Sequence, residues 1–265
     1  MLLFFILAAL AYGAASFAYG AGTDEGSSVK QWARALLSGA ALLHLGTVGA
    51  QCLDGNHPFK SVFLATSLGL LIAVVGFLAI SAKRRPMRAL GAVLAPLGLI
   101  GLTVGVVMGS TTDAELQVSG GLANVIRAHI ALATVGVSGF VLAAGVAGLY
   151  LAMERRLRTK RFQPGQSGIS LRGLDRLHWW LVLLVTPVFT LAIVTGAIVL
   201  LREGGLEMLS ARALEISAAA VAFIATSASL VSRAVWGLRG RKAAWLTMVA
   251  FLCMVLILVS YGVRS

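Results

Sequence analysis

Eight long apolar runs, each close to the length of a bilayer crossing, set the terms for this sequence of 265 residues. Their approximate limits are 2–20, 32–53, 59–82, 88–110, 122–153, 174–201, 210–236 and 243–263. At about 1.5 Å per residue, such a run spans a hydrocarbon core about 30 Å thick, and the gaps between runs leave no room for a soluble domain. With 58% hydrophobic and 12% charged residues, the composition lies outside the range of soluble domains. The expected fold class is therefore all-α, a polytopic membrane helical bundle with about eight transmembrane helices forming a single integral membrane domain over residues 1–265. Met1 to Gly20 has no basic residue ahead of its apolar stretch, so it reads as a retained span and not a cleaved signal.

The net charge of +12 could point to nucleic acid, but the positions of the basic residues argue for topology. Lys83, Arg84, Arg85 and Arg88 lie between the third and fourth runs. Arg155, Arg156, Arg158, Lys160, Arg161, Arg172 and Arg176 lie between the fifth and sixth, and Arg233, Arg239, Arg241 and Lys242 between the seventh and eighth. With Lys30 and Arg34, 17 of the 22 basic residues fall on one side, which the positive-inside rule makes the cytoplasm. Both termini are then outside. The opposite loops carry Asp54, Asp113, Glu115, Glu203, Glu207 and Glu215. Trp32, Trp179, Trp180, Trp236 and Trp245 all fall at cytoplasmic helix ends, as interface anchors do. The expected location is the inner membrane of a prokaryotic cell. The connection 154–176 reads as flexible or peripheral; only in the reading of the chain as a structural or regulatory subunit does it contact a partner.

Small residues are dense in the fifth run (Gly136, Ser138, Gly139, Gly145, Gly148) and the seventh (Ser217 to Ala220, Thr226 to Ser229). They allow close backbone approach and hydrogen bonds between helices, so these two are expected to be central. Pro96 and Pro187, in mid-run, should bend their helices.

Ionisable groups inside a span are expensive and so direct attention to function. His44 lies near the middle of the second run and His129 in the outer part of the fifth, at a depth the two could share. Neutral imidazole is a ligand that haem iron accepts, and two from different helices can clamp it. Arg127, close before His129, could meet a propionate. The alternative is that each histidine hydrogen-bonds a neighbouring helix. His57, in a turn before Pro58, reads as a solvated turn residue, and His178, before Trp179 and Trp180, as an interface anchor. Cys52 and Cys253 have no metal-ligand spacing. No catalytic motif is visible, which favours binding or transfer over catalysis.

Three stretches carry a family resemblance. The first is A-R-A-L-L-S-G-A-A-L-L-H-L through H-P-F-K-S-V-F-L-A-T-S-L; the second is H-I-A-L-A with L-Y-L-A-M-E-R-R-L and S-L-R-G-L-D-R-L; the third is S-R-A-V-W-G-L-R-G-R-K-A-A-W-L, continuing to Y-G-V. In these the chain resembles the integral membrane cytochrome c assembly family, in its short HemX-type and related CcsA-type members. The resemblance implies an eight-helix protein that holds or passes haem b in the outer half of the bilayer. It places His44 and His129 at positions of haem ligands, and implies partners among cytochrome c assembly proteins or a respiratory complex. CcsA-type proteins carry a tryptophan-rich outer segment that presents haem for attachment. Here Arg202 to Ser217 has no tryptophan, so attachment of haem would need a partner. Two other readings stay open: a haem-free structural or regulatory subunit, HemX-like, and a haem b subunit of a respiratory complex.

Overall fold

The computed structural model describes residues 1–21, 28–83, 88–109, 121–159, 170–203, 205–237 and 239–264. They form α1 (Leu2–Ala21), α2 (Ser28–Leu53), a 3₁₀ turn (Pro58–Lys60), α3 (Val62–Lys83), α4 (Arg88–Val107), α5 (Gly121–Arg158), α6 (Leu171–Glu203), α7 (Gly205–Ala211), α8 (Ala213–Trp236) and α9 (Arg241–Arg264). Eight of these helices are long and apolar enough to cross a membrane; the short α7 is the exception. The protein is thus a polytopic helical membrane bundle, with no strand among the described residues. α5 and α6 run past the expected limits into the basic connection, so α5 ends on Arg155, Arg156 and Arg158, where cations suit the negative end of the helix dipole. The remainder of that connection, 160–169, lies outside the described residues, as do Asp113 and Glu115. α4 and α6 continue as helix through Pro96 and Pro187.

The chain divides into two compact units, one holding α1–α4 and the last turn of α5, the other the rest of α5 with α6–α9. In the first unit, α4 packs through glycines. Gly91 and Gly98, seven residues apart, face Tyr19 and Tyr12, also seven apart, so α1 and α4 run antiparallel with a tyrosine seated on each glycine. A Cβ on Gly98 would lie 2.6 Å from the Tyr12 ring. Along the next face, Gly101, Gly105 and Gly109 receive Leu70, Ser67 and Leu64 of α3. Lipid offers no hydrophobic drive between helices, so this close approach, with its dense van der Waals contact, is what holds them.

In the second unit, Phe140 of α5 meets Phe189 of α6 edge to face at 5.1 Å, among Val185, Ala192, Ala222, Ala225, Ala250 and Met254. α5 is deeply placed, with 56% of its apolar segment buried, but α8 reaches only 33%. The expectation that both are central therefore holds for α5 alone. Several of their hydroxyls also bond their own helix: Thr134 to Ile130 O, Ser138 to Thr134 O and Thr226 to Ala222 O. Their small size, more than hydrogen bonding between helices, is what serves packing.

At the basic end of this unit, Asp175 of α6 accepts two bonds from the Arg233 guanidinium of α8, at 3.1 and 3.0 Å. The Gly240 N–H donates to the same carboxylate at 2.9 Å. Gly240 has φ +71°, a conformation that suits glycine, and a Cβ there would strike the Tyr150 hydroxyl. Arg233 also lies over the Trp179 ring, 4.6 Å from its centroid. The S-L-R-G-L-D and S-R-A-V-W-G-L-R-G stretches thus close on each other.

Candidate functional site

The described residues place the two intramembrane histidines in very different surroundings. His44 is fully buried in the first unit. Its Nδ1 lies 3.1 Å from the Tyr12 hydroxyl of α1 and its Nε2 2.9 Å from Ser67 Oγ of α3. A neutral imidazole has one N–H and one lone pair, and here both are used, so the ring ties α2 to two other helices. The glycines of α4 close this niche, since Gly98 backs Tyr12 and Gly105 backs Ser67. As packed, His44 has neither a spare nitrogen nor space beside it.

Replacing His44 with phenylalanine keeps most of the volume and leaves both hydroxyls without their partner. The expected cost is about 1–2 kcal/mol, since hydrogen bonds between helices in membranes are worth about 0.6 kcal/mol on average and a stranded polar group adds to that. Denaturation in detergent checks it. On a Tyr12→Phe background the loss should be smaller than in the wild type, because one of the two bonds is already gone.

His129 is half-buried on α5, against α6. Its Nδ1 lies 2.8 Å from Ala192 O, and 3.3 Å from Thr195 Oγ1. A carbonyl oxygen only accepts, so Nδ1 carries the proton, and in the neutral ring the Nε2 lone pair is free. No hydrogen-bond partner for Nε2 occurs among the described residues. The ring comes this close because residue 196 is glycine: a Cβ there would lie 2.8 Å from His129 Cε1. A ring whose second nitrogen donates to a backbone carbonyl is the usual support of a metal-ligating histidine.

Arg127 is exposed. Two residues from His129 on a helix, it leaves α5 about 200° around the axis, so the geometry does not bring it to the side of the imidazole. His57 caps the 3₁₀ turn, its Nδ1 accepting from Phe59 N–H at 3.3 Å. His178, expected as an interface anchor, is instead buried, with Nε2 2.8 Å from Thr247 Oγ1 of α9. Trp32, Trp180 and Trp245 are exposed, as anchors are. Sequence reasoning missed Tyr12 and Ser67, which decide what His44 can do, and Gly196, which decides how His129 is held. The G-x-x-x-G-x-x-x-G spacing at 101, 105 and 109 was the available signal for the close packing around the first.

A family model described as Cytochrome C assembly protein matches residues 55–265. The chain belongs to this family. Its role therefore lies in cytochrome c biogenesis. The match takes in His129 and both stretches joined by Asp175 and Arg233, while α1 and α2, with His44, precede it. No curated protein and no solved structure matches the chain.

Among the described residues no group of three or more His, Cys, Asp or Glu could hold a bare metal ion. Haem makes a smaller demand. A porphyrin brings its own equatorial nitrogens, so one well-held imidazole is enough from the protein. His129 fits that requirement as it stands; His44 fits it only by leaving Tyr12 or Ser67.

Proposed function

We propose that this member of the cytochrome c assembly family handles haem b within the membrane, with His129 as the residue that would hold its iron, on the outer side of the bilayer as the basic loops orient it. The observation that carries this reading is the His129 ring, fixed by Ala192 O so that the proton stays on Nδ1 and Nε2 has no hydrogen-bond partner among the described residues. The iron of a bound haem would supply the coordination bond and, where it cycles, the electron. The chain's own part is to hold the ring: Ala192 O keeps the proton on Nδ1, Thr195 Oγ1 steadies it from a second direction, and Gly196 leaves room for the ring to dock.

Attachment of haem to an apocytochrome falls to a partner, since Arg202 to Ser217 lacks tryptophan and folds in part as the short α7. The pair reading, with His44 as the second ligand, asks that imidazole to give up a bond it makes here. A haem-free structural role, HemX-like, is favoured by one observation, the full engagement of His44.

Oxidised and reduced visible spectra of the purified protein separate these readings, with haem counted per chain after denaturation. Sharp reduced bands and about one haem per chain are expected. A featureless spectrum that persists after haem is offered would overturn the proposal in favour of the haem-free reading. Tightly held haem that cycles reversibly would instead mark an electron-transfer subunit.

A further inference from the structure

α2 leans on α1 and α3 on α4, and between α2 and α3 an apolar groove of about 420 Å³ stays open. Ser38, Leu42 and Leu45 follow one stripe of α2, at intervals of four and three residues, and Leu68 to Leu78 follow the facing stripe of α3. The walls are exposed: Leu42 is 70% accessible and Val75 51%. Ten residues of α3 rise about 15 Å, which is half of a hydrocarbon core about 30 Å thick. It lies across the middle of both spans and runs toward the basic loops as far as Ser38 on α2 and Leu78 on α3.

A cation stands at that end. Arg34 lies one turn before Ser38 on the same face of α2, and its Nη2–H donates to Leu78 O at 3.2 Å. Ser81 Oγ donates to the same carbonyl, also at 3.2 Å, which fixes the rim. The guanidinium is exposed, and among the described residues its other N–H groups have no acceptor. Trp32, half a turn further, is 66% exposed at the level where tryptophan meets lipid headgroups.

We propose that this groove seats one anionic phospholipid of the leaflet on the basic-loop side, an acyl chain between α2 and α3 and the phosphate at Arg34. The depth decides against a transmembrane helix of another protein, which needs a wall across the full core and finds half of one here. The charge decides the headgroup, because the guanidinium fork matches phosphate and a net negative lipid adds attraction that a zwitterionic one lacks. The site is separate from His129 and owes nothing to haem, so its success or failure leaves the haem reading where it stands.

Native mass spectrometry of the full chain tests it, after equilibration in detergent with equal amounts of phosphatidylglycerol and phosphatidylcholine bearing the same acyl chains. One retained lipid is expected, with phosphatidylglycerol favoured about fivefold, the usual weight of one basic residue near an anionic surface. Arg34→Gln should bring the two lipids to parity while a lipid is still held. Ser38→Trp should fill the groove and displace both; Leu42→Trp, on the exposed wall, serves the same purpose if the first does not fold. Equal retention by the wild type, an undiminished preference in Arg34→Gln, or a second protein chain crosslinked at residue 42 in place of lipid would each overturn the proposal.

Discussion

His129→Ala is expected to lose the histidine-ligated haem spectrum altogether while the purified protein keeps its helical content. The side chain is half-buried and, among the described residues, makes its hydrogen bonds only to α6, so its removal leaves the core around Phe140 and Phe189 in place. Exogenous imidazole offered to a His129→Gly protein should restore the spectrum, which a merely structural histidine would not allow. A second variant probes the support and leaves the ligand in place. In Gly196→Val the new Cβ falls 2.8 Å from His129 Cε1 and the added methyls fall nearer still, so the ring must swing off Ala192 O. Haem affinity should drop about 10- to 100-fold, the usual consequence of losing the partner that orients a ligating histidine. An unaltered spectrum in His129→Ala would remove His129 from the iron.

The other large effect belongs to α4. Gly98→Leu should destabilise the first unit by about 3–5 kcal/mol, above the common range for overpacking. The Cβ alone would lie 2.6 Å from the Tyr12 ring and 3.1 Å from its hydroxyl, and Tyr12 is fully buried and bonded to His44, so it has nowhere to go. Relief of the clash therefore pulls α1 away from α4 or breaks the Tyr12–His44 bond. Gly13→Ala is the neighbouring control: nothing stands within 4 Å of a Cβ at that position, and alanine should stabilise the helix by up to about 1 kcal/mol. Thermal unfolding in detergent reads both. Tyr12→Ala should rescue part of the Gly98→Leu loss by emptying the space the leucine needs, and a Gly98→Leu protein as stable as the wild type would mean that α1 and α4 do not pack through these glycines.

The spans were legible because lipid enforces one rule, that backbone polar groups be satisfied within a helix of sufficient length. The expected run 32–53 became Ser28–Leu53 and 243–263 became Arg241–Arg264, differences of a few residues at the ends. α7 was not foreseen, since seven residues with a glutamate carry no apolar run, and its separation from α8 shortened the expected 210–236. The histidines were legible as positions and not as roles. What His44 and His129 can do depends on the second nitrogen, and its partners stand 32, 23 and 63 residues away in sequence. Arg127 illustrates a different limit, because nearness along a helix is not nearness around it. The small residues of α5 and α8 were visible, but the glycines that matter most for close approach are on α4, where the spacing says that something approaches and only the fold says that it is Tyr12, Tyr19 and Ser67.

The clasp of Asp175 by Arg233 and Gly240 has a consequence for how the chain is made. Asp175 leaves the ribosome with α6, and its counter-charge follows 58 residues later, its second donor 65 later. Until α8 and the turn into α9 have been made, the carboxylate lacks both of these donors. Once the last two helices arrive, it is drawn in and neutralised. A chain cut short before Arg233 lacks both donors, so the fork around Asp175 cannot close.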